Sequence, residues 1–229
     1  MGFIVDGLSI FIGGILGGLF NKRIDSRSFS ALSIGIMLIS LVGLLENILC
    51  VSDGKIIGEH TLIVSIALVV GCFIGNALML EERVYSLSKA QSAASSGFVD
   101  SVLFFGIGGL QISGPILYAL SGDSFQLILK GVIDFPFALV LGATYGKRVS
   151  ISAAVVVGMQ LFIAAIAYLL GDFLSSALLR QLCSLGYLIL FFSGFNMTVD
   201  PKYKIKNINF LPGIFLLIVY NVITEVLQR

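Results

Sequence analysis

Phe104-Phe-Gly-Ile-Gly-Gly-Leu-Gln-Ile-Ser-Gly-Pro115 lies near the middle of the chain and decides how the rest is read. The residues around it are overwhelmingly apolar, yet these twelve positions hold four glycines, a glutamine, a serine and a proline. Such a segment does not make a regular lipid-facing helix. In hydrocarbon every unpaired backbone group is expensive, so irregular backbone at membrane depth is tolerated only within protein or beside a water-filled cavity. The next apolar stretch carries Lys130, Asp134 and Pro136. Two polar interruptions in adjacent spans mark a candidate site between them.

Working outward, the chain of 229 residues is 57% hydrophobic and 12% charged, where an ordinary soluble domain is about 25% charged. That composition belongs to a polytopic membrane protein. The loops are too short to hold a soluble domain, so one integral helical bundle is expected. A net charge of +1 leaves no basic face for nucleic acid. The 26 glycines suit close helix packing, since lipid offers no hydrophobic drive and small residues let backbones approach. Cys50, Cys72 and Cys183 are scattered, with no CxxC pair, which argues against a disulfide framework or a zinc site and for apolar packing. The first apolar run, Phe3 to Phe20, has no basic region before it and ends at Asn21-Lys-Arg. It is expected to be a retained helix and not a signal peptide.

Eight spans of about 18 to 23 residues fit a bilayer core of about 30 Å: Phe3 to Phe20, Phe29 to Cys50, Thr61 to Leu80, Phe98 to Leu120, Phe125 to Tyr145, Ser150 to Leu170, Ala177 to Thr198 and Phe210 to Leu227. Lys and Arg of short loops stay cytoplasmic. Lys22, Arg23, Arg27, Arg83, Lys89, Lys147, Arg148, Lys202, Lys204 and Lys206 fall in alternate loops, which puts ten of the fourteen basic residues on one side. Both termini are then expected outside.

An internal repeat is also visible. Ile15-Leu-Gly-Gly-Leu-Phe-Asn-Lys-Arg-Ile24 aligns with Val140-Leu-Gly-Ala-Thr-Tyr-Gly-Lys-Arg-Val149, with four identities in ten. Gly75-Asn76 before Glu81-Glu-Arg83 resembles Gly194-Phe-Asn196 before Asp200-Pro-Lys202. The expected architecture is an all-α membrane bundle of about eight helices in two parallel four-helix repeats, residues 1–121 and 122–229. With four spans per unit the two units share one orientation, as in the halves of some secondary transporters.

Gly7-Leu-Ser-Ile-Phe-Ile-Gly-Gly-Ile-Leu-Gly-Gly18, Gly71-Cys-Phe-Ile-Gly-Asn76 and the run at 105–115 resemble the bacterial inner-membrane proteins grouped as domain-of-unknown-function family 554, the YqgA-like proteins. The resemblance covers essentially the whole length. It implies a multi-pass protein of a prokaryotic cytoplasmic membrane, of a family often labelled as transporters, and brings no site residues with it.

Asp134 is followed by Phe135-Pro136. Proline disfavours helical geometry before it, so a break beside a membrane-depth acid is one reading, and such acids are functional-site candidates. The other starts the helix at Pro136 and leaves Asp134 as a surface cap. Lys130 either takes a buried role or snorkels outward. Gln111 and Ser113 lie mid-span and need partners there. With Gly108, Gly109, Gly114 and Pro115 they suit a hinge or loop that aims carbonyls at a cation or small polar solute, or else a tight helix crossing. Asp100 reads as an N-terminal helix acid or as a gate or proton relay. Asn76 and Asn196 either close a shared polar site or join helices. Gly13, Gly14, Gly17 and Gly18 form overlapping small-xxx-small matches for packing within the chain or between protomers. His60 is the single histidine, a poor metal site by itself, and is read as structurally neutral, so no metal site is expected.

No GxSxG elbow, HExxH, Walker lysine or Rossmann fingerprint occurs, so no enzyme activity and no cofactor are expected. The expectation is a secondary transporter or facilitator for a small solute or ion, with Gln111, Ser113 and Asp134 lining a polar centre and a coupling cation or proton at Asp134. The rival is a membrane scaffold whose glycine stripes serve assembly.

Overall fold

Apolar runs as long as a bilayer is thick must close their backbone hydrogen bonds within themselves, and they do so as helices. The computed structural model describes residues 1–20, 26–52, 55–58, 60–89, 96–106, 109–169, 171, 175–196 and 198–228. Its helices are α1 (Gly2–Phe20), α2 (Ser26–Ile48), α3 (Thr61–Ala77), α4 (Leu80–Lys89), α5 (Ser96–Gly106), α6 (Gly109–Ser121), α7 (Phe125–Tyr145), α8 (Ser152–Leu169), α9 (Ser176–Asn196) and α10 (Leu211–Gln228). Short 3-10 turns lead into α8 and α10. A small antiparallel hairpin, β1 (Leu49–Ser52) and β2 (Lys55–Gly58), pairs Leu49 with Gly58 and Ser52 with Lys55. It sits between α2 and α3, where the sequence suggested only a loop.

The protein is an all-α membrane protein. Among the described residues, six helices are long and apolar enough to cross a membrane. Large apolar side chains on their outer faces, among them Phe73, Leu169 and Phe215, are 70% exposed or more, a surface suited to lipid and not to water. All eight expected spans meet helical structure, with two departures from the expected lengths. α3 has 17 residues, roughly 26 Å at 1.5 Å per residue. The fourth span is described in two parts, α5 up to Gly106 and α6 from Gly109, and Gly108 lies outside the described residues.

The break expected beside Asp134 does not occur. α7 is helical throughout, with Pro136 inside it. Proline withholds the N–H that would reach the Val132 carbonyl, a defect of roughly 3 kcal/mol. Packing along α1 outweighs it. α6 likewise continues through Pro115, and there the carbonyl left without its intrahelical donor is that of Gln111.

α1 and α7 lie against each other along their whole lengths. A Cβ on Gly2 would fall 2.5 Å from the Leu127 Cβ, one on Gly13 2.8 Å from the Ala138 Cβ, and one on Gly131 3.1 Å from the Asp6 Cα. Each of these pairs (2 and 127, 6 and 131, 13 and 138) is separated by 125 positions, the spacing of Ile15 and Val140 in the aligned segments. Gly17 permits the closest approach, since a side chain there would run into the Leu139 carbonyl. Around this pair, α2 packs on α9, α3 on α10, and α6 on both α8 and α9, so the two halves of the sequence interdigitate. One apolar core gathers Ile10, Phe105, Phe137 and Val156. A second gathers Val64, Leu185, Phe210 and Leu217.

Beyond the spans, polar contacts tie the ends. At the start of α9, Arg180 donates to the carbonyls of Asn47 and Leu49. At its end, α4 meets the segment before α10: the Ile208 N–H donates to Glu81, the Glu81 N–H donates to Asn209 at 3.1 Å, and Lys206 pairs with Glu82. Partial burial pushes the Glu81 carboxyl above its ordinary value, although the bond from Ile208 opposes the shift. The exposed Glu82 is held below its ordinary value by its hydrogen bond from Lys206.

Candidate functional site

Lys130 and Asp134 are four residues apart in α7, so they share one helix face. That face also carries Gly131, Ile133, Phe137 and Ala138, all buried. The absence of a side chain at Gly131 lets the α1 main chain come in at Asp6, which brings a second carboxylate within reach of the ammonium. Lys130 Nζ donates to Asp6 Oδ2 at 3.0 Å and to Asp134 Oδ2. From α8, Gln160 Nε2 donates to Asp6 Oδ2 at 2.6 Å and to Gln111 Oε1 at 3.0 Å. From α6, Gln111 Nε2 donates to the Val156 carbonyl at 3.1 Å. Four helices thus contribute to one chain of polar groups running Asp134, Lys130, Asp6, Gln160, Gln111.

The chain is dry and unbalanced. Asp6, Gln111 and Gln160 are fully buried, Lys130 is 4% exposed and Asp134 6%. With both acids ionised, two carboxylates face one ammonium in a medium where an unpaired charge is costly. Among the described residues, the buried side-chain atoms without a hydrogen-bond partner are Asp6 Oδ1 and Gln160 Oε1, both acceptors and both in this chain. Beside Lys130 and Asp134 lies a cavity of ≈ 30 Å³ whose walls include Phe104, Leu110, Gln111, Ile133 and Ser193. A water needs about 10–15 Å³ of such volume, so the space suits about two waters or one small ion.

Asp134 is therefore neither a surface cap nor at a helix break, and Lys130 does not snorkel; both are buried inside α7. Gln111 joins them at the cavity. Ser113, also buried, faces elsewhere: its hydroxyl donates to Gln126 Oε1 at 2.5 Å, and Gln126 Nε2 donates to Cys183 Sγ at 3.4 Å. Gly114 and Pro115 are buried within α6, and Gly109 opens that helix. Asn196 Nδ2 donates to the Ile205 carbonyl and its Oδ1 accepts from the Ile205 N–H, both at 2.7 Å, so it braces the turn after α9. Asn76 is exposed at the end of α3. Neither asparagine reaches the cluster. Asp100 lies in α5, but its side chain is outside the described residues, as is that of Cys50. Cys72 and Cys183 are free thiols. His60 approaches Gln181, which accepts from Asn221 at 2.7 Å, a separate polar group at the start of α9.

Two members of the cluster escaped the sequence reading. Asp6 is the only charged residue of the first apolar run, and Gln160 is the only amide of the sixth. Each is the one charged or amide residue of its span, the signal that drew attention to Gln111, but neither has a glycine cluster or proline beside it.

The model for the family described as "Protein of unknown function (DUF554)" matches residues 1–222. The chain is 26% identical to the uncharacterized membrane protein YdfK of Bacillus subtilis, over 94% of this chain and 93% of that one. It is 24% identical to the uncharacterized protein YqgA of Escherichia coli, with 94% of each chain covered. No solved structure matches. With the match spanning nearly every residue that builds the bundle and its buried charges, the chain belongs to the DUF554 family.

Proposed function

We propose that this protein is a secondary transporter or facilitator that moves a small solute or ion across the bacterial cytoplasmic membrane, with both termini outside. The observation that carries the reading is the buried cluster of Asp6, Lys130, Asp134, Gln160 and Gln111 beside a cavity. Ionisable groups at membrane depth are expensive and mark ion or substrate pathways. A structural role would favour a balanced, fully paired set, whereas this one has an excess carboxylate and two unpartnered oxygens. Gln111, Asp134 and Lys130 belong to the polar wall of the cavity.

The architecture that supports transport is a parallel repeat of residues 1–121 and 122–229 about a pseudo-twofold axis between α1 and α7. Matching positions meet across that pair at the constant offset of 125. Asp6, Lys130 and Asp134 break the symmetry, since their counterparts at that offset are Gly131, Val5 and Ser9. Unlike residues at matching positions are the arrangement of a functional site set into a repeated frame.

The test is reconstitution into liposomes with a panel of ions and metabolites chosen by thermal stabilisation, because a ligand that binds only the folded protein raises its apparent stability with the logarithm of concentration. Saturable flux with counterflow supports a carrier. Absence of both stabilisation and flux across the panel supports the scaffold, which the glycine-packed α1–α7 seam favours.

A further inference from the structure

We propose that Asp6 and Gln160 form a one-proton binding site, a carboxylic acid paired with an amide, which serves as the coupling site of the transporter. Its coupling role rests on the transport reading above; its occupancy by a proton does not. Gln160 Nε2 already donates to Asp6 Oδ2 at 2.6 Å with one hydrogen and to Gln111 Oε1 at 3.0 Å with the other. The remaining atoms of the pair, Asp6 Oδ1 and Gln160 Oε1, are buried acceptors without a donor. A single proton on Asp6 Oδ1 turns one into a donor to the other and closes the cyclic acid–amide pair. The same proton cancels the excess charge of two carboxylates on one ammonium. One added atom thus satisfies both orphaned oxygens and balances the cluster.

A metal cation fits less well. Hard cations take six or more oxygens, only two are free here, and the Lys130 ammonium stands 3.0 Å from Asp6 Oδ2. Among the described residues no three His, Cys, Asp or Glu side chains could hold a metal ion. The charged groups facing Asp6 are Lys130 and Asp134 of α7. Gln160 of α8 and Gln111 of α6 bring only amides, and α1, α6, α7 and α8 contain no other Asp, Glu, Lys or Arg.

The pairing also supplies a coupling step. When Asp6 takes a proton from water its carboxylate is lost, and Lys130 is left to Asp134 and the cavity wall. When Asp6 returns the proton to water, its carboxylate competes for Lys130 again and loosens the ammonium from that wall. Proton occupancy of Asp6 therefore changes the charge that the cavity presents to a solute.

Infrared difference spectroscopy of the full chain in lipid tests the site without any knowledge of the solute. The expected result is a protonated-carboxyl stretching band at neutral pH that shifts on deuteration, disappears in Asp6→Asn and moves to higher frequency in Gln160→Met. Should Asp6→Asn fail to fold, Gln160→Met carries the test, since loss of the accepting oxygen must move the band to higher frequency. No such band at neutral pH, its retention in Asp6→Asn, or an unmoved band in Gln160→Met overturns the proposal. A band behaving as expected in a protein without flux would instead sink the transport reading and leave the proton site standing.

Discussion

Replacing Lys130 with methionine isolates the role of the buried charge cluster, because the side-chain volume is nearly kept while the ammonium is lost. Lys130 is 4% exposed and its two acceptors are 0% and 6% exposed, so losing the ammonium leaves two buried carboxylates without their cation. Removing one partner of a buried ion pair costs about 3–5 kcal/mol. For a chain of this size each kcal/mol lowers the melting temperature by about 2–4 °C, so Lys130→Met should melt about 6–20 °C below the parent in detergent or lipid. Neutralising the acids as well reverses most of that loss, because an uncharged set of similar volume is close to neutral in such places. The triple variant with Asp6→Asn and Asp134→Asn should return to within about 1–2 kcal/mol of the parent, a strong departure from additivity of the kind expected for residues in one network. A melting temperature unchanged in Lys130→Met, or triple-variant losses that simply add, would refute the burial and mutual dependence of these groups.

Other expectations follow from single contacts. Gly17→Ala drives a methyl into the Leu139 carbonyl and should destabilise by about 1–3 kcal/mol. Gly158→Ala meets nothing within 4 Å and should stabilise by up to about 1 kcal/mol through helix propensity; paired thermal melts read both. Gln111→Leu strands one hydrogen of Gln160 and removes the second donor to the helical Val156 carbonyl, and should cost about 1–3 kcal/mol while weakening any flux more than Ser113→Ala does. For Glu81 the sign is set by a carboxyl held above its ordinary value in the folded protein: its contribution is full below its unfolded value and is lost as pH rises through its folded value. Glu81→Gln keeps an oxygen for the Ile208 N–H, so relative to the parent it should gain stability between acidic and neutral pH, as read from melts across that range.

How much was legible in the sequence depends on whether a feature is carried by composition or by contact. The six long helices were readable because each is a long run of apolar residues. The alignment of Ile15 with Val140 holds a structural number, the offset at which α1 and α7 meet, although nothing in a linear reading says that the two segments touch. Proline misled: Pro136 was read as a break because local propensity argues for one, but twenty other helical residues and a glycine-lined neighbour override it. Gln111 and Asp134 were recognisable as polar groups in apolar spans. Asp6 and Gln160 carried the same signal alone, and their importance comes from partners 124 and 154 residues away. Asn76 and Asn196 matched in sequence context, yet one is exposed and the other braces a turn, since similar flanks do not ensure similar neighbours.

Currents evoked by pH jumps across liposomes containing the protein, recorded on a solid-supported membrane, bear most directly on the buried charge cluster as a working ion site, and they need no knowledge of the solute. The parent protein should give a transient current from proton binding that rises with the size of the pH jump, is lost in Asp6→Asn and Lys130→Met, and persists in Gly158→Ala. Liposomes of the parent that respond no more than empty ones, or currents of full size in Asp6→Asn and Lys130→Met, would contradict it.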